Sequence, residues 1–145
     1  MRIFLDANVL FSASLRERSR QYAFFALARS GHCRLTSSAY ALEEARRNVA
    51  RKAASRLTVL DVLTRLVEPS AAPPGDIVSR MAQYGLPAKD APILAAAIVA
   101  RADILVTGDR RHFGPLFGRK IEGVRVLSLV DGLALLTARS GQVRD

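Results

Sequence analysis

The sequence predicts an α/β protein built around a mostly parallel sheet covered by helices on both faces. Three observations point there. The clearest strands, Ile3 to Leu5, Ile104 to Thr107 and Val124 to Leu127, are short and nearly all apolar, as strands buried on both faces are. Helical stretches separate them, which lets neighbouring strands run in the same direction through crossovers. At 145 residues and 50% apolar composition, the chain has the material for one core of ordinary domain size.

Taken in order, Ile3 to Leu5 is the first strand. Arg20 to Ser30, rich in Ala and Phe, reads as a helix that stops at Gly31. Cys33 to Thr36 follows as a second strand, after which Ser37 and Ser38 offer hydroxyls to cap a helix over Ala39 to Val49. A further helix over Ala53 to Leu66 sets Leu57, Leu60, Leu63 and Val67 at three- and four-residue spacing on one face, so it packs against the helix before it. Val67 alternatively opens a short third strand. The stretch from Pro69 to Gly75 is the one loop-like shift in composition and reads as a turn between elements. Asp76 to Tyr84 is a helix ending at Gly85. Asp90 to Arg101 is an Ala-rich helix whose start is marked by Asp90 and Pro92. The Ile104 strand ends at Gly108, a loop or short helix leads to the Val124 strand, and Val130 to Ala138 closes the chain as a helix. No repeat or low-complexity tract interrupts the chain, so residues 1–145 read as a single domain with the last few residues frayed.

Composition excludes several classes. One cysteine, Cys33, allows no internal disulfide, and two histidines, His32 and His112, cannot complete the usual Cys/His zinc patterns. The expectation is a reducing, cytoplasmic setting without structural zinc. Asp6 interrupts the first apolar run before a signal-peptide core can form. Ala91 to Ala100, broken by Pro92, falls short of the roughly 18–20 residues that cross a bilayer, so no membrane association is expected. Against 13 acids stand 22 Lys and Arg, a net charge of +9 whose field attracts polyanions. Nucleic acid is the natural partner; a surface charged only for solubility is the plainer alternative.

The acids carry the chemistry. In open parallel sheets ligands bind beyond the carboxyl ends of the strands, where crossovers diverge. Asp6 follows the first strand and Asp109 follows the Ile104 strand, so both emerge at that rim. A crossover helix runs antiparallel to its strands, which starts the helix of Asp90 at the same rim. Glu44 lies one to two turns inside the helix that follows the second strand, with Glu43 competing for the inward position. Four carboxylates brought together raise one another's pKa and repel unless a cation neutralises them. A hard divalent ion, Mg²⁺ or Mn²⁺, suits such oxygen ligands, and its charge can activate water against a phosphodiester. Each acid also has a local explanation: Asp6 and Asp90 as helix caps, Asp109 as part of a Gly-Asp turn, Glu44 as a surface partner of Arg47 or Asn48. The joint pattern is the argument.

That pattern resembles the PIN domain family, in particular the VapC-like toxins of bacterial toxin–antitoxin pairs. Leu5-Asp6-Ala7-Asn8-Val9-Leu10 with Ser12 is similar to the family's opening motif. Thr36-Ser37-Ser38 with Leu42-Glu43-Glu44-Ala45 resembles the second, where the apolar register favours Glu44 and Ala45 replaces a larger residue. Lys89-Asp90-Ala91-Pro92 resembles the third, and Leu105-Val106-Thr107-Gly108-Asp109 with His112-Phe113 the fourth and most specific. The resemblance implies a three-layer α/β/α sandwich whose helical pair near Ala39 to Leu66 forms an arm beside the cleft. It further implies Asp6, Glu44, Asp90 and Asp109 as catalytic metal ligands, Asn8 and Thr107 as hydrogen-bonding supports, and an RNA substrate. A small antitoxin that blocks the cleft and a homodimer are its implied partners. Arg46, Arg47, Arg51, Lys52 and Arg56 on the arm, with Arg110 and Arg111, are in place to track a phosphate backbone, although a solvated helix face is the plainer reading for most. His112 reads as a packing or loop-capping residue.

Two other readings fit part of the pattern. A phosphatase or phosphotransferase of the haloacid dehalogenase type also has an Asp after its first strand and a late Gly-Asp, but here Asn8 stands where that family places a second Asp. A catalytically silent nucleic-acid-binding module with the same fold would have no need of all four acids.

Overall fold

Apolar strands and amphipathic helices alternate along the chain, and the order of alternation fixes the sheet. In the computed structural model, which describes the backbone of residues 1–144 and side chains through residue 139, the elements are β1 (Arg2–Leu5), α1 (Ala7–Leu15), α2 (Arg20–Arg29), β2 (Arg34–Ser38), α3 (Ala39–Lys52), α4 (Leu57–Thr64), β3 (Val67–Ser70), α5 (Gly75–Ala82), α6 (Ala91–Val99), β4 (Ile104–Val106), α7 (Arg110–Phe113), β5 (Lys120–Ile121), β6 (Val124–Leu127) and α8 (Leu129–Arg144). The expected fraying at the C-terminus concerns positions outside the described side chains.

The sheet order is β3-β2-β1-β4-β6-β5. Every pairing is parallel except that of β5 with β6. Starting from β1, the chain first builds outward through β2 and β3. It then crosses back to lay β4 on the other side of β1. The crossovers therefore diverge between β1 and β4, which opens a crevice beyond their carboxyl ends. These two strands are the driest part of the molecule: Ile3, Phe4, Leu5, Leu105 and Val106 are each 0% exposed. α6, with α5 against it, packs on β2, β3 and β4, while α8, with α2 against it, packs on β4 and β6. The result is the three-layer sandwich with a mostly parallel sheet. No helix among the described residues is long and apolar enough to cross a membrane.

Local chemistry explains where elements stop. α2 ends in a pair of bonds typical of a left-handed helix terminus: Gly31 N–H donates to Ala28 O at 3.0 Å and His32 N–H donates to Leu27 O at 2.9 Å, with Gly31 at φ 82°. α6 ends the same way at Ala102 and Ala97, but the left-handed position belongs to Arg101, φ 55°, so the sequence carries no glycine to announce it and the expected helix runs two residues too far. The helix expected over Ala53 to Leu66 is divided. Ala53 takes φ −154° and ψ 58°, a single 3₁₀ turn follows at Ala54–Arg56, and α4 begins at Leu57. Val67 opens β3, as the alternative reading had it.

Both sheet edges are short and blunted. β3 carries Glu68, paired with Arg34, and Pro69, which has no N–H to offer, while β5 is two residues long.

α8 lies so close to the sheet that Gly132 is required. A Cβ there would stand 2.8 Å from Val106 Cγ2 and 3.5 Å from Phe24 Cζ. Val106 is fully buried and its β-branched side chain has little rotamer freedom to yield. Gly132→Ala gains about 1 kcal/mol of helix propensity but meets an overpacking cost of about 1–3 kcal/mol. The expected outcome is a net loss of about 1 kcal/mol, read as a lowered midpoint in urea or thermal unfolding. A variant more stable than the parent would show that the helix can lift off the strand.

Candidate functional site

Asp6 is the first residue past β1, and its backbone N–H donates to Val106 O of β4 at 3.2 Å, which holds it in the crevice between the two strands. The residue is 5% exposed, and each carboxylate oxygen is hydrogen-bonded. Oδ1 accepts from Ala7 N–H at 2.7 Å, and Oδ2 accepts from the Thr107 hydroxyl at 2.9 Å and from Asn8 Nδ2 at 3.2 Å. The two supporting side chains are themselves held. Asn8 Oδ1 accepts from Gly108 N–H at 2.9 Å, and Thr107 Oγ1 accepts from Asp109 N–H at 3.1 Å. The end of β1, the start of α1 and the end of β4 are thus joined by one hydrogen-bonded network around a single carboxylate. Burial pushes the Asp6 carboxyl up to about 6; the Thr107 and Ala7 hydrogen bonds oppose that rise, and the nearby charges of Asp90 and Glu44 add to it.

Asp109 begins α7. Its Oδ1 accepts from His112 N–H at 3.1 Å and its Oδ2 lies 2.8 Å from His112 Nδ1. Partial burial raises this carboxyl, but the backbone and ring hydrogen bonds from His112, with the positive charge of Lys89, hold it below the ordinary range. Asp90 stands at the N-terminus of α6 yet makes no side-chain capping bond. Its Oδ2 is buried without a hydrogen-bond donor. His112 Nδ1 is 3.2 Å away, close enough for attraction, but the shorter contact and the directed hydrogen bond go to Asp109. Burial raises the Asp90 carboxyl; Lys89 opposes this and Asp109 adds to it.

Glu44 arrives from α3, whose inward stripe of Ala41, Ala45 and Val49 seats the helix against the core. It lines the same cleft of about 260 Å³ as Asp6, Asp90 and Asp109. Glu43 is exposed and lines a separate groove with Arg46 and Asp61, so the inward position belongs to Glu44. Glu44, Asn48 and Lys52, spaced by four, form the cleft-facing edge of α3, opposite Lys89 from the loop before α6 and Phe11 from α1. The remaining basic candidates lie elsewhere. Arg47 and Arg51 are exposed and outside the cleft lining, Arg46 is paired with Asp61, and Arg56 donates to Ser14 O. Arg110 and Arg111 are exposed on α7, with Arg110 beside Arg20 in a neighbouring hollow that also touches Thr107 and Gly108.

The local explanations and the joint one coexist for Asp6 and Asp109, which do begin helices. They separate at Asp90, whose side chain caps nothing. His112 caps the loop, as its position led one to expect. Its ring also sits among the acids, where Asp90, Asp109 and His112 each offer a ligand atom within 4.8 Å of the others. The signal for it was its place three residues after Asp109, one helical turn on. Lys52, one of the arm cations expected to track a phosphate backbone, does line the cleft, whereas Lys89 carried no signal beyond its charge.

The arrangement is a polar cleft with four carboxylates, an unpartnered buried oxygen among them, and lysines at its walls. That donor set fits a hard divalent cation: all the acids offer oxygen, and a cation would supply the partner that Asp90 Oδ2 lacks.

Comparisons with solved structures bear on the fold. The backbone is similar to a chain of VapBC2 from Rickettsia felis, solved bound to a DNA fragment from their promoter, with a TM-score of 0.64 and 22% identity over 88% of this chain and 98% of that one. It is similar to PAE2754 from Pyrobaculum aerophilum, TM-score 0.67 and 22% identity over 95% of this chain and 96% of that one. A chain of FitAcB from Neisseria gonorrhoeae matches with a TM-score of 0.58 and 22% identity over 88% and 98%. No curated protein sequence matches. The model of the PIN domain family matches residues 2–111, a span that contains every acid of the cleft. On that match, the chain belongs to the PIN domain family.

Proposed function

We propose that this protein is a metal-dependent endoribonuclease acting as one PIN-like domain, the toxin component of a toxin–antitoxin pair, in which Asp6, Glu44, Asp90 and Asp109 hold Mg²⁺ or Mn²⁺ and carry the reaction. The observation that supports it most is Asp90 Oδ2, a buried carboxylate oxygen without a donor among three other acids. Native structures leave few buried polar atoms unpartnered, and a site made for a cation accounts for this one.

When bound, the ion supplies the charge that makes water acidic enough to attack a phosphodiester and that steadies the leaving oxygen. The rest is the work of the chain. Asn8 and Thr107 donate to Oδ2 of Asp6 and the Ala7 N–H donates to Oδ1, so the carboxylate cannot rotate away from the cleft. His112 orients Asp109 and keeps it ionised at neutral pH. Lys52 and Lys89 place positive charge on the cleft walls, where the phosphates of a bound strand would run, and the +9 net charge favours a polyanionic substrate. Arg47, Arg51, Arg110 and Arg111 extend that field beyond the cleft. Asn8 donates to Asp6 instead of standing beside it as a second acid, which favours this reading over a haloacid dehalogenase-type phosphatase. The likeness to VapBC2 and FitAcB chains, together with the motif resemblance, favours a small antitoxin that covers the cleft, a homodimer, and action in the cytoplasm.

Incubation of the purified protein with labelled RNA should give cleavage in Mg²⁺ or Mn²⁺ and none in EDTA. Cleavage that persists in EDTA, or that survives Asp6→Asn, would overturn the mechanism. Release of phosphate from small esters with the RNA left intact would identify a phosphatase instead.

A further inference from the structure

One aromatic side chain lines the acidic cleft, and nothing in the acid chemistry uses it. Phe11, on the face of α1 beside Asp6, Ala7 and Asn8, is half-buried: its inner part packs on the core while the cleft reaches the ring. Lys52, the last residue of α3, holds its ammonium 5.5 Å from the ring centroid, so a lysine ammonium stands over the face of Phe11. Asn48, one turn earlier on the same edge of α3, lines the same wall.

We propose that Phe11 is a base-stacking platform for one nucleotide of a single-stranded RNA, with Lys52 leaving the ring to meet that nucleotide's phosphate. This rests on the ribonuclease reading above and names the form of its substrate. The physical case has three parts. A cation held over an aromatic ring at an exposed site is weakly bound, and stacking a base on the same face is the stronger interaction. The exchange loses no charge pairing, because the displaced ammonium sits on a flexible four-carbon stem within reach of the backbone whose base has taken its place. The amide of Asn48 can both donate and accept, which suits the edge of a base presented at that wall. Stacking on a side chain requires a base already out of its helix, so the cleft selects single strands, loops or ends over a duplex.

The test is binding of the full chain, by fluorescence anisotropy in EDTA so that no cleavage intervenes, to three probes of equal length: a labelled single-stranded RNA, the same strand with abasic positions, and the fully paired duplex. The wild type should bind the base-bearing strand roughly tenfold more tightly than the abasic one. Phe11→Leu, which keeps an apolar core contact, should erase that preference while leaving abasic affinity unchanged, and Phe11→Tyr should retain it. Equal binding of the two single strands by the wild type, no binding to either, or a preference that survives Phe11→Leu would each overturn the proposal. If Phe11→Leu does not fold, Phe11→Met, also apolar and without a ring, takes its place, and a preference that survives it overturns the proposal equally. The nuclease reading fails separately, by absence of metal-dependent cleavage, whatever the probes show about the ring.

Discussion

Replacing Asp90 with alanine should lower metal-dependent RNA cleavage about a hundredfold or more while changing the stability of the metal-free protein by less than about 1 kcal/mol. The two halves of that expectation come from one fact. Asp90 begins α6 but its side chain makes no capping bond, and its Oδ2 has no donor. Removing it therefore breaks no hydrogen bond the fold relies on, and the usual cost of deleting a helix cap does not arise. His112 Nδ1, 3.2 Å from Asp90 Oδ2, is hydrogen-bonded to Asp109, which leaves that oxygen able to meet a cation. Loss of even an outlying partner of a metal ligand commonly costs ten- to a hundredfold, so loss of a ligand itself should cost at least the upper figure. Single-turnover cleavage and thermal unfolding in EDTA measure both halves. Activity within tenfold of the parent would remove Asp90 from the site, and a large fall in stability would return it to the role of a cap.

The second large effect is on stability and has an opposite sign from ordinary carboxylates. Burial pushes Asp6 up to about 6 from 3.8, so between those values the folded state holds a proton that the unfolded chain has released. Stability then falls as pH rises through that window and stays lower above it, by about 3 kcal/mol for the whole gap. Asp90, also raised, works in the same direction; Asp109, lowered, works against it. The metal-free protein should accordingly be more stable near pH 4.5 than at pH 7.5, and Asp6→Asn should remove the larger part of that difference because it cannot ionise. Added Mg²⁺ or Mn²⁺ should restore stability at pH 7.5 to the parent and not to the variant. Denaturant midpoints at the two pH values decide it: an unchanged pH dependence in Asp6→Asn would show that the burial of Asp6 is not what governs it.

The parts of this molecule that could be read in advance are those where one physical signal acts alone. The fully apolar runs at Ile3 and Ile104 are central parallel strands, and the acids that follow them, Asp6 at once and Asp109 after Thr107-Gly108, line one cleft at the switch point between them. The Ser38 hydroxyl caps α3, receiving Ala41 N–H at 3.0 Å, as its position suggested. Ser37, which looks identical in sequence, instead donates to Leu5 O at 2.7 Å across to β1, and only the completed sheet distinguishes the two. The same limit applies on α3. A helical face can be counted off from the sequence, but which neighbour it meets cannot, so Asn48 and Lys52 were not separable from Arg47 and Arg51 until α1 and the loop at Lys89 closed the opposite wall. The break at Ala53 and the left-handed Arg101 had no residue type to mark them. The β5–β6 pairing was missed because two residues carry no periodicity.

The blunted margins of the sheet bear on how this protein meets others. An open parallel sheet would ordinarily present two ribbons of free amides and carbonyls onto which a second polypeptide could zip. Pro69 interrupts one ribbon, charge stands beside it at Glu68, and the other ribbon is too brief to hold a stranger in register. Association by strand addition is thus disfavoured at both flanks, and any protein partner has the helical surfaces left to it, among them the α1 and α3 walls that frame the acids.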